Sequence, residues 1–436
     1  MPVPVAPRRW PLLGHTPAML LQRARFTDAL HEHGDVVRLD LGPLRAHFVT
    51  SPSLTYEVLV SQGSKFRKGA MFDKFQPYLG TGLLLSNGGY HLRQRRMMQP
   101  AFHRERIEAY ASTMARAASS LAARWQPGEI RVVEDDMQEL AVTIVGEALF
   151  SSEIGKRAVE EVRRSIFTVI QQGMIRALTP SFVEKLPLRG NKEFDAAIAR
   201  MKAVVLQVIE SWRADGTDHG DVLSTLLLAQ EDGVGMTDRQ TYDEVLTLLT
   251  AGIETTAIAL AWALYELGDN PEIEKRLHAE LDTVLGDRPV TFADIPSLTY
   301  TTQIVQETLR MYPIWFVMRR TLEEVRLGDV TLPAGAEVIV SPHALHHDPR
   351  YFPEPRRFAP ERWTPEFLST LPRGAYVPFG GGARQCLGNT FAQTEIVITL
   401  ATVAARWRLV PTRAARVKFT SAPYPQGLLM KAVPRD

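Results

Sequence analysis

One cysteine, Cys386, is all that 436 residues contain. A single thiol cannot form an internal disulfide, and it excludes zinc or iron–sulfur sites built from several cysteines. An excess of one charge is also missing. Lys and Arg number 50 against 49 Asp and Glu, and a formal charge of +1 gives no reason to expect nucleic acid as partner. The opening stretch, MPVPVAPRRWPLLGH, has no apolar core of a signal sequence. Neither a signal peptide nor a membrane anchor is therefore expected, and the reading is a cytoplasmic protein. Long apolar runs are scarce. The one candidate, Thr247–Leu264, carries Glu254, Thr255 and Thr256 at its middle. Lipid would make that carboxylate costly, so the run reads as a helix buried in a large soluble core. Repeats, low-complexity tracts and Ser/Gly linkers are absent, and no domain boundary is visible. Length alone suggests roughly three domains. The lack of a boundary favours one unit, 1–436. Hydrophobic residues at 45% and charged residues at 23% fit a soluble globular chain and exclude a disordered or fibrous one.

The periodicity predicts a mainly α protein with small β-sheets near both ends. Two alternating runs within 36–60, split by Gly42-Pro43, read as a hairpin. Helical spacing then covers 91–97, 105–125, 135–150, 156–177, 192–213 and 221–230. The next helix opens at Thr237-Asp238-Arg239-Gln240, a capping-box pattern, and runs to about Asp269 before Asn270-Pro271. A further helix covers about 298–311 and ends before Pro313. Strands return at Val325–Leu332 and Ala336–Val340, with a last set near 406–431. The β-rich portion is thus about 30–60 and 315–345 plus the C-terminal strands. The helical portion is about 90–310 and 386–405, the last helix beginning just after Cys386.

The lone thiol sits in Phe379-Gly-Gly-Gly-Ala-Arg-Gln-Cys-Leu-Gly388, at the end of a glycine-rich loop and the start of a helix. Glycines let a backbone approach a flat ligand closely. A helix N-terminus and free N–H groups favour a thiolate, and Arg384 adds positive charge. A thiolate so held is a good axial ligand for heme iron. The segment resembles the heme-binding signature of the cytochrome P-450 family, the heme-thiolate monooxygenases. Phe379, Gly382, Arg384, Cys386 and Gly388 stand at its fixed offsets, with Gly380 in the same loop. The resemblance extends over essentially the whole chain. It implies the fold of that family, a triangular helical prism with heme between the long central helix and the Cys-loop helix. It also implies heme b, iron protoporphyrin IX, as cofactor, with Cys386 as the iron ligand.

Other residues acquire roles through the same resemblance. Glu307 and Arg310 lie three apart on one helix face, where an exposed pair would be worth only tenths of a kcal/mol. In the family they form a structural Glu–Arg pair, completed here by Arg362 in Phe358-Ala-Pro-Glu-Arg-Trp363, and brace the Cys loop. Ala251-Gly252-Ile253-Glu254-Thr255 places a glycine and a carboxylate inside an apolar helix, which is unfavourable on both counts. By itself the segment reads as a kink, with Thr255 bonding back to the carbonyl of Ala251. The resemblance makes it a widened helix beside the heme. Glu254 is then the acid and Thr255 the alcohol of a proton relay to dioxygen, with Gly252 giving oxygen room. His91 and Arg95, four apart on a basic helix, together with Arg320 and Arg384, match positions that bind the heme propionates. Arg319 beside Arg320 leaves that register open.

The family's contact regions place Met71, Phe72, Phe75, Ile170, Met174, Leu248, Ala251, Ile314, Trp315, Phe316, Val317 and Tyr424 around the substrate. An apolar, aromatic lining suits a lipophilic small molecule such as a terpene, polyketide or fatty acid. The implied function is insertion of one atom of dioxygen into such a substrate, in secondary metabolism, by a monomer. Electrons would come from a separate ferredoxin and an NAD(P)H-linked ferredoxin reductase, since no flavin or iron–sulfur domain is seen. Arg93, Arg96 and Arg104 offer an acidic ferredoxin a docking patch. Two alternatives stand beside this reading: a peroxide-driven enzyme of the same fold, against which Glu254-Thr255 argues, and a heme-thiolate sensor without turnover.

Overall fold

The structure, a computed structural model, describes residues 3–150, 153–178, 181–419 and 422–435. The chain divides into two compact units that alternate along the sequence. The first comprises Met1–Asp73, Gln303–Cys386 and Val417–Tyr424; the second comprises Lys74–Thr302, Leu387–Arg416 and Pro425–Asp436.

The first unit is built on a five-stranded sheet, in the order Val36–Leu41, Leu44–Val49, Glu337–Val340, Val317–Thr321, Phe66–Lys68. The first two strands form the expected hairpin, turning at Gly42. Leu44–Val49 then pairs in parallel with Glu337–Val340, which requires a long crossover. Apolar residues cover both faces of this sheet. Phe48, Leu39 and Ile339 enter one core cluster, and Val49, Val338 and Val340 enter another. Val325–Leu332, expected as one strand, is instead a tight hairpin of Val325–Leu327 and Val330–Leu332. Gly328 takes φ +56 at the turn, a conformation that glycine adopts without strain.

The second unit is helical. Val133–Leu149, Glu153–Leu178 and Arg189–Asp215 pack against the central helix Asp238–Asp269, and Arg104–Arg124 packs against Val133–Leu149. The capping box that opens the central helix is present. The Gln240 N–H donates to Thr237 Oγ1 at 3.3 Å, and the Thr237 N–H donates to Gln240 Oε1 at 2.9 Å. Alanines 257, 259, 261 and 263 let the helices that cover it pack closely, and Trp262 is wholly buried. The Cys-loop helix, Asn389–Ala404, packs against the central helix. The central helix is also long and apolar enough to cross a membrane, but most of that stretch is buried inside the fold. Among the helices not anticipated are Ala70–Leu79, which contains Pro77, and Pro271–Val284, which starts on its proline.

Candidate active site

Cys386 is exposed, at the end of the loop that begins at Val377. Its N–H donates to the Phe379 carbonyl at 2.9 Å and the Gly380 N–H donates to the Val377 carbonyl at 3.0 Å, folding the loop on itself. Gly380 is at φ +68. The sequence assigned these glycines to a ligand's approach. At Gly382 the structure gives a different reason: a Cβ there would overlap the Leu59 carbonyl of the helical turn beneath. Gly388 caps the helix that follows and has ordinary clearance to Phe102.

The Glu–Arg pair is wholly buried. Arg310 donates to both Glu307 oxygens, at 2.8 and 2.9 Å, and its Nη1 donates to the carbonyls of His346 and Pro355, each at 2.8 Å. Glu307 also accepts from the Ala359 N–H at 2.9 Å, Arg362 Nε at 3.1 Å and Trp363 Nε1 at 3.0 Å. Arg362 thus joins the pair as the resemblance implied. Sequence reading missed the residue that carries this brace to the loop, His346. The Val377 N–H donates to its Nε2 at 2.9 Å. Burial, then the fields of Arg310 and His343, push the His346 ring down to about 3, so it stays neutral and can accept.

Arg319 and its neighbour Arg320 have different surroundings. Successive strand residues face opposite sides of a sheet. Arg320 lies on the side where it binds Glu337 and, at 2.9 Å, Asp73, so two carboxylates already claim it. Arg319 lies on the other side, directly opposite Lys68 on the neighbouring strand. Both are buried, and like charges facing across strands repel. Burial, then the Arg319 and Arg384 guanidiniums, hold Lys68 well below its usual range. Burial, then Arg384, lowers Arg319 to about 10. Among the described residues no carboxylate pairs with Arg319. Three clustered cations with an accessible thiol in the same unit are a donor set for an anionic, iron-bearing ligand, and heme with its two propionates is one.

In the helical unit, Ala251 and Thr255 are exposed although most of the central helix around them is buried; Leu248 and Glu254 are half-buried. This open stripe is what a helix lining a ligand presents. Thr255 Oγ1 donates to the Ala251 carbonyl at 2.9 Å. The helix is continuous α-helix through Gly252. Gly252 does not face the stripe. A Cβ there would lie 3.2 Å from Val145 of the neighbouring helix, so the small residue serves packing, and the room falls at Ala251. His91 is buried on the basic helix Gly88–Met98, with Arg95 half-buried one turn on. Arg93 and Arg96, expected to be free for an acidic partner, both pair with Glu231, and Arg104 lies over the Phe292 ring at 5.7 Å. Sequence reading also missed Glu395, wholly buried on the Cys-loop helix. Burial pushes its carboxyl up to about 8, offset in part by the Thr256 hydroxyl. A lone acid in the apolar run Glu395-Ile-Val-Ile-Thr-Leu was the available signal.

The expected substrate residues divide. Met71, Phe72, Trp315 and Phe316 pack against the core of the β-rich unit, and Val317 packs against its second cluster. The Trp315 ring lies 5.4 Å from that of Phe419, tilted by 57°, and its N–H donates to Thr27 Oγ1 at 3.4 Å. Trp315 is half-buried, with its ring and its N–H both engaged on the core side. Ile314 and Tyr424 are half-buried. Phe75 lies beside Gly173, where an added Cβ would meet its ring at 3.6 Å. The side chains of Ile170 and Met174, on that same helix, lie outside the described residues.

The cytochrome P450 family model matches residues 4–435. The chain is 43% identical over 410 residues to cyclooctat-9-en-7-ol 5-monooxygenase of Streptomyces melanosporofaciens, covering 93% of this chain and 89% of that protein. It is 34% identical to pentalenene oxygenase of Streptomyces avermitilis, covering 95% and 92%. The cytochrome P450DA heme domain superposes with a TM-score of 0.89 at 25% identity, covering 100% of this chain and 98% of that one. The chain belongs to the cytochrome P450 family. It is a heme-dependent monooxygenase.

Proposed function

We propose that this enzyme inserts one oxygen atom of dioxygen into a terpene during secondary metabolism, with heme b as cofactor. The observation that carries the substrate class is the 43% identity to a protein named for oxidising cyclooctat-9-en-7-ol, an alkene alcohol. Pentalenene oxygenase supports the same class.

Bound heme supplies the iron that activates dioxygen. Cys386 holds that iron through its sulfur. In the β-rich unit Lys68, Arg319 and Arg384 would bind propionates and offset their burial, and in the helical unit His91 and Arg95 are the residues suited to the same role. Glu307, Arg310, Arg362 and His346 fix the Cys loop so that the thiol stays in place. Ala251 leaves space for oxygen. Thr255 holds a proton at Oγ1 and passes it toward oxygen, resupplied from Glu254. Phe75 and Leu248 of the helical unit would orient an apolar guest and exclude water. A separate ferredoxin and an NAD(P)H-linked reductase are the electron donors proposed here.

The test is a carbon-monoxide difference spectrum of the reduced protein, followed by titration with terpene alcohols and hydrocarbons. A strongly red-shifted Soret band that vanishes in Cys386→Ser, and terpene-induced Soret shifts at micromolar concentration, are expected. An unshifted band overturns the thiolate. Shifts with fatty acids and none with terpenes overturn the substrate class.

A further inference from the structure

Residues 3–27 contain Arg8, Arg9, Arg23 and Arg25 and no Asp or Glu, in a chain that is otherwise balanced. The same stretch holds the most exposed leucine of the described residues. The Trp10 N–H donates to the Gly14 carbonyl at 2.8 Å and the Gly14 N–H donates to the Trp10 carbonyl at 3.0 Å, closing a turn over Pro11, Leu12 and Leu13. Leu12, at the tip, is 98% exposed and adopts φ +62. The base of this turn is fixed. The Gly42 N–H donates to the Leu13 carbonyl at 3.2 Å, and the Asp40 N–H donates to His15 Nδ1 at 2.9 Å. Trp10 and Leu13 are more than half exposed beside the tip, as is Leu20, and Leu21, near the end of the helix Thr16–Gln22, is 81% exposed.

Two unfavourable choices coincide at Leu12. The left-handed region is strained for a leucine, and water is a poor surrounding for its side chain. A turn needed only to reverse the chain would hold glycine or asparagine there. Leu12 is therefore kept for what it presents. We propose that the turn Trp10–Gly14, with Leu20 and Leu21, is a peripheral docking surface for an anionic phospholipid bilayer. Leucines enter the acyl boundary, tryptophan sits at headgroup level, and Arg8, Arg23 and Arg25 meet lipid phosphates, Arg9 being paired with Asp40 at 2.8 Å. The charge pattern argues against a second copy of this chain, because a two-fold contact would bring arginine onto arginine. Docking stands apart from the chemistry proposed above, and its test needs no turnover.

The experiment is co-sedimentation of the full-chain holoprotein with phosphatidylglycerol or phosphatidylcholine vesicles, at low and high salt. Binding to phosphatidylglycerol, weakened by salt and about tenfold lower on phosphatidylcholine, is expected. Leu12→Gly suits φ +62, so it keeps the Soret spectrum and a melting temperature at or above wild type while losing most of the binding. Reversing Arg8 and Arg25 to Glu lowers binding by about tenfold or more. No sedimentation of wild type with phosphatidylglycerol overturns the proposal. So does a Leu12→Gly variant that binds as well as wild type, or a Leu12-dependent dimer seen by sedimentation velocity without vesicle binding.

Discussion

Asp243, buried on the central helix, accepts the backbone N–H of Thr81 at 2.8 Å. Its neighbour Glu244 accepts the Leu83 N–H at 2.8 Å, so two consecutive carboxylates hold the loop between Ala70–Leu79 and the basic helix. Gly80, at φ +72, lies so close that a Cβ would overlap the Asp243 carboxylate. Asp243→Ala leaves the Thr81 N–H unpaired and costs about 1–3 kcal/mol. Gly80→Ala is at least as severe, since strain adds to the overlap. Asp243→Asn keeps an acceptor and falls between. Urea unfolding ranks the three; an Asp243→Ala variant as stable as wild type would remove this loop clamp.

Two buried acids set a pH dependence. Burial is the main cause that lifts Glu244 and Glu395 from 4.5 to about 8, with Asp243 adding at Glu244. Between those values the folded state keeps a proton that the unfolded chain has released. Stability is therefore fully present below the lower value and declines as pH rises through the window, by at most about 1.4 kcal/mol per pH unit for each group. Glu395→Gln and Glu244→Gln remove one such contribution each. Urea midpoints at pH 5, 6, 7 and 8 should fall less steeply in both variants than in wild type.

What the sequence could disclose differed from residue to residue. Thr237-Asp238-Arg239-Gln240 named the start of the central helix because a capping box is local chemistry. Pro271 with Glu272 and Glu274 marked another helix start, a signal present but unread. Arg319 against Arg320 could not be decided, because a one-residue choice reverses the face, and only pairing with Lys68 and Glu337 fixes it. Gly382 and Gly252 were given to ligand and oxygen, whereas their neighbours are Leu59 and Val145 from distant sequence. Trp315 looked like a pocket wall because an aromatic's partners, here Phe419 and Thr27, are invisible until the chain folds.

Removing one member of the buried Glu307–Arg310 pair strands the other. Glu307→Ala frees Arg310, Arg362 and the Trp363 N–H together, and a loss of about 3–5 kcal/mol follows. Arg310→Lys keeps charge but cannot make both carboxylate bonds and both carbonyl bonds. Little holoprotein should be recovered from either. Purified yield and the Soret-to-protein absorbance ratio measure this, and normal yields from Glu307→Ala would contradict the brace.

Thr255 separates the two uses of its hydroxyl. Its bond to the Ala251 carbonyl is local, so Thr255→Ala should leave folding within about 0.5 kcal/mol of wild type. The proton relay would still be lost. NAD(P)H consumption should continue with product falling by about tenfold or more. The ratio of product formed to NAD(P)H consumed is the measurement, and full coupling in this variant removes Thr255 from the relay.

Arg319 and Arg320 are neighbours whose loss should have opposite consequences. Arg320→Met leaves Glu337, buried, without its guanidinium, and destabilises the fold by about 3 kcal/mol. It should release heme no faster than wild type in the folded state. Arg319→Met removes a cation that faces Lys68 and lies in the field of Arg384, so the chain itself loses a repulsion. The proposed propionate partner, worth about 1.5–3 kcal/mol, disappears with it, and heme transfer to apomyoglobin should quicken by about tenfold or more. Melting curves and transfer rates measured on both variants separate the two arginines. If Arg320→Met sheds heme and Arg319→Met does not, the cation cluster of Lys68, Arg319 and Arg384 is not where the propionates bind.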